Sequence, residues 1–309
     1  MKYQYTKEDL AFLKNGKAHQ HKSTAPMTGK LCVVSGATSG VGLEAAKQLA
    51  AGGARLVLVC RNREKGEALQ KQLETEYRTT VDVVTADFSR LADVRAAAET
   101  IRQRYKRIDV LINSAGLHST TRKMTGDGME LVFQVNHIAP FLFTMLLSDR
   151  LHKSEQGRVI QVNSEGHRFG GLRMDDLDWH KRPYIGLRAY GASKTAQLMS
   201  VMTLAEQWKD THTTINAMHP GGVKTNIGSN NGWLYRTWLH TVVWHTLKDP
   251  AISGEALYYL ASAPELSSTS GRYFNLTIDE KPMPHALDEL VRNEVWVKSH
   301  ELAGLPLPK

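Results

Sequence analysis

From Lys30 onward, short runs of continuously apolar residues alternate with longer stretches in which apolar positions recur at helical spacing. LCVVS (31–35), ARLVLVC (54–60), VDVVTAD (81–87), IDVLINSAG (108–116) and GRVIQVNS (157–164) predict strands. Strands apolar at nearly every position are expected where both faces of a sheet are covered, as in parallel sheets. Between them, GLEAAKQLAAGG (42–53) predicts a helix that stops at glycines. REKGEALQKQLETEY (63–77) predicts a charged helix, and SRLADVRAAAETIRQRY (89–105) one capped by Ser89. DGMELVFQVNHIAPFLFTMLLSDRL (127–151) reads as one long helix, strained or kinked near Pro140, which has no N–H to donate. The alternation of strand and helix is that of an α/β protein with a doubly wound parallel sheet flanked by helices.

No repeat, low-complexity tract or linker divides the chain, and 309 residues suit one large α/β domain. The natural cut leaves a basic N-terminal extension, 1–28, before a single domain, 29–309. The first thirty residues carry six lysines against Glu8 and Asp9, and the chain's formal charge is +8. The extension reads as a solvated, partly disordered leader, while the positive balance keeps peripheral contact with an anionic membrane open. A nucleic-acid partner is not expected, because no recognition motif accompanies the charge. No apolar run approaches the roughly 20 residues of a membrane span, and the N-terminus lacks the apolar block of a secretory signal. The expectation is an intracellular, cytoplasmic protein, not secreted and without a transmembrane helix. Cys32 and Cys60 sit in apolar runs without ligand spacing and read as small core residues, with no metal site.

SGATSGVG (35–42) lies between the first strand and the first helix. Gly36 can turn the chain sharply, Gly40 lets backbone approach a pyrophosphate, and Gly42 allows tight helix–sheet packing. Phosphate would face the free N–H groups at the helix start. The alternative is a tight turn with no ligand. The end of the second strand reads Cys60-Arg61-Asn62-Arg63, where a carboxylate would favour an unmodified adenosine ribose. An arginine fork suits a 2′-phosphate, so NADP(H) is expected over NAD(H). Tyr190 and Lys194, four apart in RAYGASKTAQ, read either as a catalytic pair or as the first turn of an ordinary helix.

Taken together, SGATSGVG, NSAG (113–116), Ser164, YGASK (190–194) and HPGGVKT (219–225) resemble, in order, the motifs of short-chain dehydrogenases/reductases. CRNREKGE, QVNHIAPFLFT and the C-terminal SGRYF…VWVKSHELAGL are similar to the retinol dehydrogenase-like branch. The resemblance spans about residues 28–305 and implies a single Rossmann-type sheet of about seven strands. It implies a catalytic set of Asn136, Ser164, Tyr190 and Lys194. For the cofactor it implies Gly36, Thr38, Ser39, Gly40 and Val41 in the turn, with Arg61 and Asn62 after the second strand. Asp87 and Phe88 would contact adenine, and Asn113, Ala115 and Gly116 would lie under the adenosine ribose. Pro220, Gly221, Val223 and Thr225 would meet the nicotinamide side. Ser35 departs from the usual threonine, Ser114 from a second asparagine, and Ala139-Pro140 from Gly-His. The insert GLRMDDLDWHKRPYIGL (171–187) is expected as a surface loop beside the substrate mouth.

A free tyrosine ionises near pH 10, so phenolate at neutrality requires about 4 kcal/mol of stabilisation, for which Lys194 is the expected source. Ser164 would hold the substrate oxygen, Tyr190 would exchange its proton, and Asn136 would hold a water that reconnects Lys194 to solvent. Trp233, Tyr235, Trp238 and Trp244 suggest a large apolar carbonyl compound or alcohol as substrate, resembling a retinoid, steroid or fatty aldehyde. Residues 226–247 would form either a lid or a membrane contact. A homo-oligomer stays open, and the rival reading is a catalytically silent NADP(H)-binding sensor or scaffold. His118, His167 and Tyr184 fall near the expected pocket by chain position without an assigned role, and His219 reads as structural.

Overall fold

The structure is a computed structural model that describes residues 11–223 and 249–307. Each of the five expected strands is present: β1 (Leu31–Ser35), β2 (Arg55–Cys60), β3 (Val81–Thr85), β4 (Val110–Asn113) and β5 (Gly157–Val162). They are followed by β6 (Thr213–His219), β7 (Tyr273–Asn275) and β8 (Ile278–Asp279). One sheet runs in the order β3-β2-β1-β4-β5-β6-β7-β8, and every pairing is parallel except that of β7 with β8. The parallel strands match the expected sheet. β8 is added by a tight reversal through Leu276, whose φ is 57°.

The helices are α1 (Phe12–Asn15), α2 (Gly40–Ala51), α3 (Arg63–Tyr77), α4 (Leu91–Arg104), α5 (Leu131–Phe133), α6 (Ala139–Leu151), α7 (Gly186–Gln207), α8 (Ala251–Ser262) and α9 (Glu289–Ala303). Alternate residues of each strand serve opposite faces. Leu31 and Val33 of β1 join a core with α4, α6, α7 and α9, whereas Cys32 and Val34 join a second core with α2, α3 and α8. Both cysteines are buried and unbridged.

α3 begins where the sequence predicts, whereas α2 and α4 do not. α2 begins at Gly40, before the expected Gly42, with Ser39 as its N-cap residue. α4 begins at Leu91: Ser89 turns its hydroxyl onto Asp87 Oδ1 at 2.7 Å, and Asp127 Oδ2 accepts the Leu91 N–H at 2.8 Å. At α3 the cap is Asn62, whose Oδ1 accepts the Lys65 N–H at 2.8 Å.

The long helix starts at Leu131, not Asp127. α5 and α6 are joined by a π turn over Gln134–Ile138, and Glu130 caps the start by accepting the Phe133 N–H. The turn ends where Pro140 enters the first turn of α6, so the expected distortion takes the form of a wider coil instead of a bend. The expectation that no apolar stretch reaches spanning length needs correction. Leu131–Leu151 has 21 residues and contains an 18-residue window of mean hydropathy 1.5, but 78% of that window is buried inside the domain, as in a core helix.

The described part of the N-terminal extension is not a solvated leader. It lies along the β7–β8 edge and α8. Asn15 Nδ2 donates to Glu280 Oε2 at 2.9 Å, and the His21 N–H donates to Thr277 Oγ1 at 2.8 Å. Gln20 Oε1 accepts from Thr277, Tyr258 donates to the Ala25 carbonyl at 2.7 Å, and Phe12 lies under the Arg168 guanidinium. Asn275 of β7 is buried and donates to Glu280. Replacing Asn62 with alanine should remove the α3 cap and cost about 1 kcal/mol, lowering Tm by about 2 °C. Thermal melting checks the loss, and an unchanged Tm would exclude the cap as a stabilising contact.

Candidate active site

The connections from β1 and β4 diverge to opposite sides of the sheet, and such a switch point is where open α/β sheets bind ligands. A crevice of about 470 Å³ opens there. Its lining includes Gly36, Thr38, Ser39, Arg61, Asp87, Phe88, Ala115 and Gly116. Gly36 has φ +69°, and a Cβ there would lie 2.8 Å from the Ala115 nitrogen. A Cβ on Gly42 would lie 2.4 Å from the Gly36 carbonyl oxygen. The glycine turn therefore packs backbone against backbone. The hydroxyl retained at Ser35 ties it to the neighbouring loop by accepting from the Ser114 and Ala115 N–H groups at 3.2 and 3.3 Å. Gly40, at φ +55°, opens α2, whose first N–H groups have no intrahelical acceptor, and Ser39 makes no side-chain capping bond to them. This cradle fits the pyrophosphate of a dinucleotide.

Several expected cofactor residues have other work. Val41 is buried in the α2 face of the core. Asn62 is occupied as the α3 cap. Asp87 accepts both the N–H and the hydroxyl of Ser89 on Oδ1, and Phe88 packs its ring 5.7 Å from that of Phe143. Asn113 is buried, donating to Thr144 Oγ1 at 2.9 Å, and so ties the central strand to α6. Pro220 and Gly221 follow β6, where the Pro220 carbonyl accepts from Ser253, and Val223 is buried. Thr225 and the Trp233–Trp244 aromatics lie outside the described residues. His118, Ser119, Lys123, Leu131 and Val135 also line the crevice. No motif marks them; only the position of His118 after the glycine turn pointed to one.

Ser164 ends the β5 connection and starts a 3₁₀ turn over Glu165–Phe169. Its Oγ accepts the Gly166 N–H at 3.0 Å, and the hydroxyl lies near enough to the Tyr190 phenol to favour its ionised form. α7 starts at Gly186, so Tyr190 stands in its second turn, not its first. A Cβ on Gly166 would come within 2.5 Å of the Tyr190 ring, and one on Gly191 within 2.5 Å of the Gly170 carbonyl oxygen. Those two glycines let helix and turn meet. One helical turn beyond Tyr190, the buried Lys194 donates to the Val162 carbonyl at 2.8 Å, with Nζ 5.8 Å from the Tyr190 ring centroid.

Asn136 sits in the π turn. Its Oδ1 accepts the Leu117 N–H at 2.8 Å, while Nδ2 donates to the Leu117 carbonyl and to Ser193 Oγ, both at 3.0 Å. It thereby clamps the loop after β4 to α7. The Asn136 carbonyl accepts from Gln197 Nε2 at 2.9 Å.

Burial sets the charges. It pushes Tyr190 up to about 12, with the Ser164 hydrogen bond opposing, and pushes Lys194 down to about 7. The shift in Tyr190 is opposite to the one expected from its pairing with Lys194. Burial therefore favours the neutral phenol as the resting form of Tyr190. His118 stands edge-on to Tyr190, ring centroids 5.8 Å apart, and burial holds it below the usual imidazole value.

The other candidates are structural. His167 Nδ1 bonds the Ser164 carbonyl, and its Nε2 accepts the Met283 N–H. His219, pushed down to about 4 by burial, accepts from the Glu165 N–H through Nδ1. Tyr184 donates to Glu130 Oε1 at 3.0 Å, pinning the 171–187 insert to the start of the long helix. Arg122 donates to the Asp178 carbonyl, and Arg182 stacks 3.6 Å over the buried Trp179.

The short chain dehydrogenase family model matches residues 30–232. Human retinol dehydrogenase 13 is 36% identical over 298 residues, covering 95% of this chain and 89% of its own. The dehydrogenase/reductase SDR family member 13 of Bos taurus is 39% identical over 297 residues, 94% of this chain and 77% of its own. A crystal structure of an uncharacterised protein from Mycobacterium paratuberculosis superposes with a TM-score of 0.75 at 26% identity, covering 94% of this chain and 100% of that one. The motifs at the crevice and these likenesses agree, and the chain belongs to the short-chain dehydrogenase/reductase family of oxidoreductases, in its retinol dehydrogenase-like branch.

Proposed function

We propose that the protein is an NADP(H)-dependent oxidoreductase that interconverts a lipophilic carbonyl compound and its alcohol, with Tyr190 as general acid/base. The observation that carries this reading is the meeting of Ser164, Tyr190 and Lys194 beside the crevice. Bound there, a nicotinamide dinucleotide supplies the hydride. Gly36, Ser39 and Gly40 would hold its pyrophosphate, and Lys194 its nicotinamide ribose. Ser164 fixes the substrate oxygen by hydrogen bonding, which sets the distance and angle of attack. Tyr190 gives its proton to that oxygen as negative charge develops on it.

Support for the phosphorylated cofactor comes from Arg61, exposed at the crevice rim where an unphosphorylated ribose would call for a carboxylate. Support for an apolar substrate comes from Phe169, Ile185 and Leu187. These residues flank the Ser164 turn and the start of α7, and they are 50%, 46% and 54% exposed. The names of the curated relatives point the same way.

Tyr190→Phe should fold and bind NADPH while turnover falls about 10²- to 10⁴-fold; retention of a tenth of the activity would remove the phenol from the mechanism. Arg61→Ala should weaken NADPH about 10- to 100-fold and leave NADH unchanged, as read by nucleotide fluorescence titration. A parallel loss for both cofactors would show that Arg61 does not read the 2′-phosphate. Lys194 is ammonium below about 7 and amine above it, so kcat/KM for NADPH should decline as pH rises through that value. A profile still flat at pH 9, about two units higher, would mean that the ammonium is not needed.

A further inference from the structure

Gln197 lies three residues beyond Lys194 on α7 and is buried. Its orientation is not a matter of choice. Nε2 donates to the Asn136 carbonyl at 2.9 Å, and a carbonyl can only accept. Oε1 therefore faces Asn163 Nδ2 at 2.9 Å and Lys194 Nζ at 3.4 Å. Asn163 is locked in the same way, donating to the Lys194 carbonyl at 2.9 Å and accepting the Ser164 N–H at 2.8 Å. The anchor for this chain of amides traces to Pro140. An α-helical bond to the Asn136 carbonyl would come from residue 140, which has no N–H. Gln197 supplies a donor in its place.

We propose that Gln197 is a positioning residue for the reaction, spanning the Asn136 carbonyl and the Lys194 amine so that Lys194 is held both in place and charged. The proposal rests on the oxidoreductase reading above. An ammonium has three N–H donors. Val162 O and Gln197 Oε1 take two from the buried side, leaving the third for the side of the Tyr190 ring. Among the described residues, the titratable side chains facing Lys194 are Tyr190 on its own helix and His137 from the π turn. Burial pushes His137 down to about 3 and Tyr190 up to about 12, so both are neutral at pH 7. Neither offers the lysine a negative charge, and the amide and carbonyl dipoles carry that task. In a low-dielectric interior such dipoles act strongly.

The test uses the full chain, with Gln197→Met, which keeps length and volume but removes the dipole, and Gln197→Glu, which places a carboxylate beside the ammonium. The first readout is the NADPH dissociation constant by nucleotide fluorescence from about pH 6 to about pH 9. The second is kcat and KM with a carbonyl substrate. In Gln197→Met the pH midpoint for weakened NADPH binding should fall by about one unit, and kcat should drop about tenfold with KM nearly unchanged. In Gln197→Glu the midpoint should rise. Midpoints unmoved in both variants, or moved in the same direction, overturn the proposal, because a packing role has no reason to give opposite signs. If Gln197→Met does not fold by circular dichroism, the Gln197→Glu midpoint decides alone: a rise supports the assignment and no rise defeats it. A wild-type protein without turnover whose variant midpoints still move apart leaves Gln197 in its role and removes the enzymatic reading. Normal turnover with fixed midpoints removes Gln197 alone.

Discussion

The distance between α7 and the turn after β5 governs the site. The tyrosine ring lies directly over Gly166, and Gly191 in turn lies under the Gly170 carbonyl, at separations no side chain could occupy. Only with both glycines can Ser164 reach the phenol while Lys194, one turn later, reaches the Val162 carbonyl. A methyl group at either position would have to push the helix away from the turn. The long insert between Ser164 and α7 could have loosened this contact. Tyr184, Arg122 and the Arg182–Trp179 stack fasten it to the body of the domain instead.

The burial that fixes this geometry also sets the charges. Desolvation drives Tyr190 and Lys194 toward their neutral forms, in opposite directions on the pH scale. The lysine meets oriented dipoles, the Val162 carbonyl and the Gln197 amide, and no carboxylate among the described residues is hydrogen-bonded to it. The amide ladder through Asn163 and Gln197 completes that arrangement, and its foothold is the Asn136 carbonyl in the π turn, which Pro140 has no N–H to serve.

Much of the fold was legible because β1 to β5 are covered on both faces and so carry runs of apolar residues without a gap. The ordered motifs located Ser164, Tyr190 and Lys194, and the structure brings them together. What was misread depends on partners far away in the chain. Ser89 looked like a helix cap, but Asp127, 36 residues beyond Leu91, takes the Leu91 N–H. The start of α7 was misplaced because Ile185 and Leu187 remain exposed and break the expected amphipathic pattern. Gln197 was invisible for the same reason: a glutamine in a helix carries no signal until the backbone carbonyl it serves is known.

The extension before β1 connects to the chemistry by a route that composition does not suggest. Asn15 holds Glu280, Glu280 pairs with Arg168, and Arg168 pairs with Glu165, the residue after Ser164. Glu280 is buried, and burial pushes its carboxyl above the usual range, so it depends on every donor that reaches it. Trimming residues 11–28 as a dispensable tail, or crowding them with a fused partner, would therefore strain the brace behind the serine turn. The stretch matched by the family model is shorter than the unit that these contacts tie together.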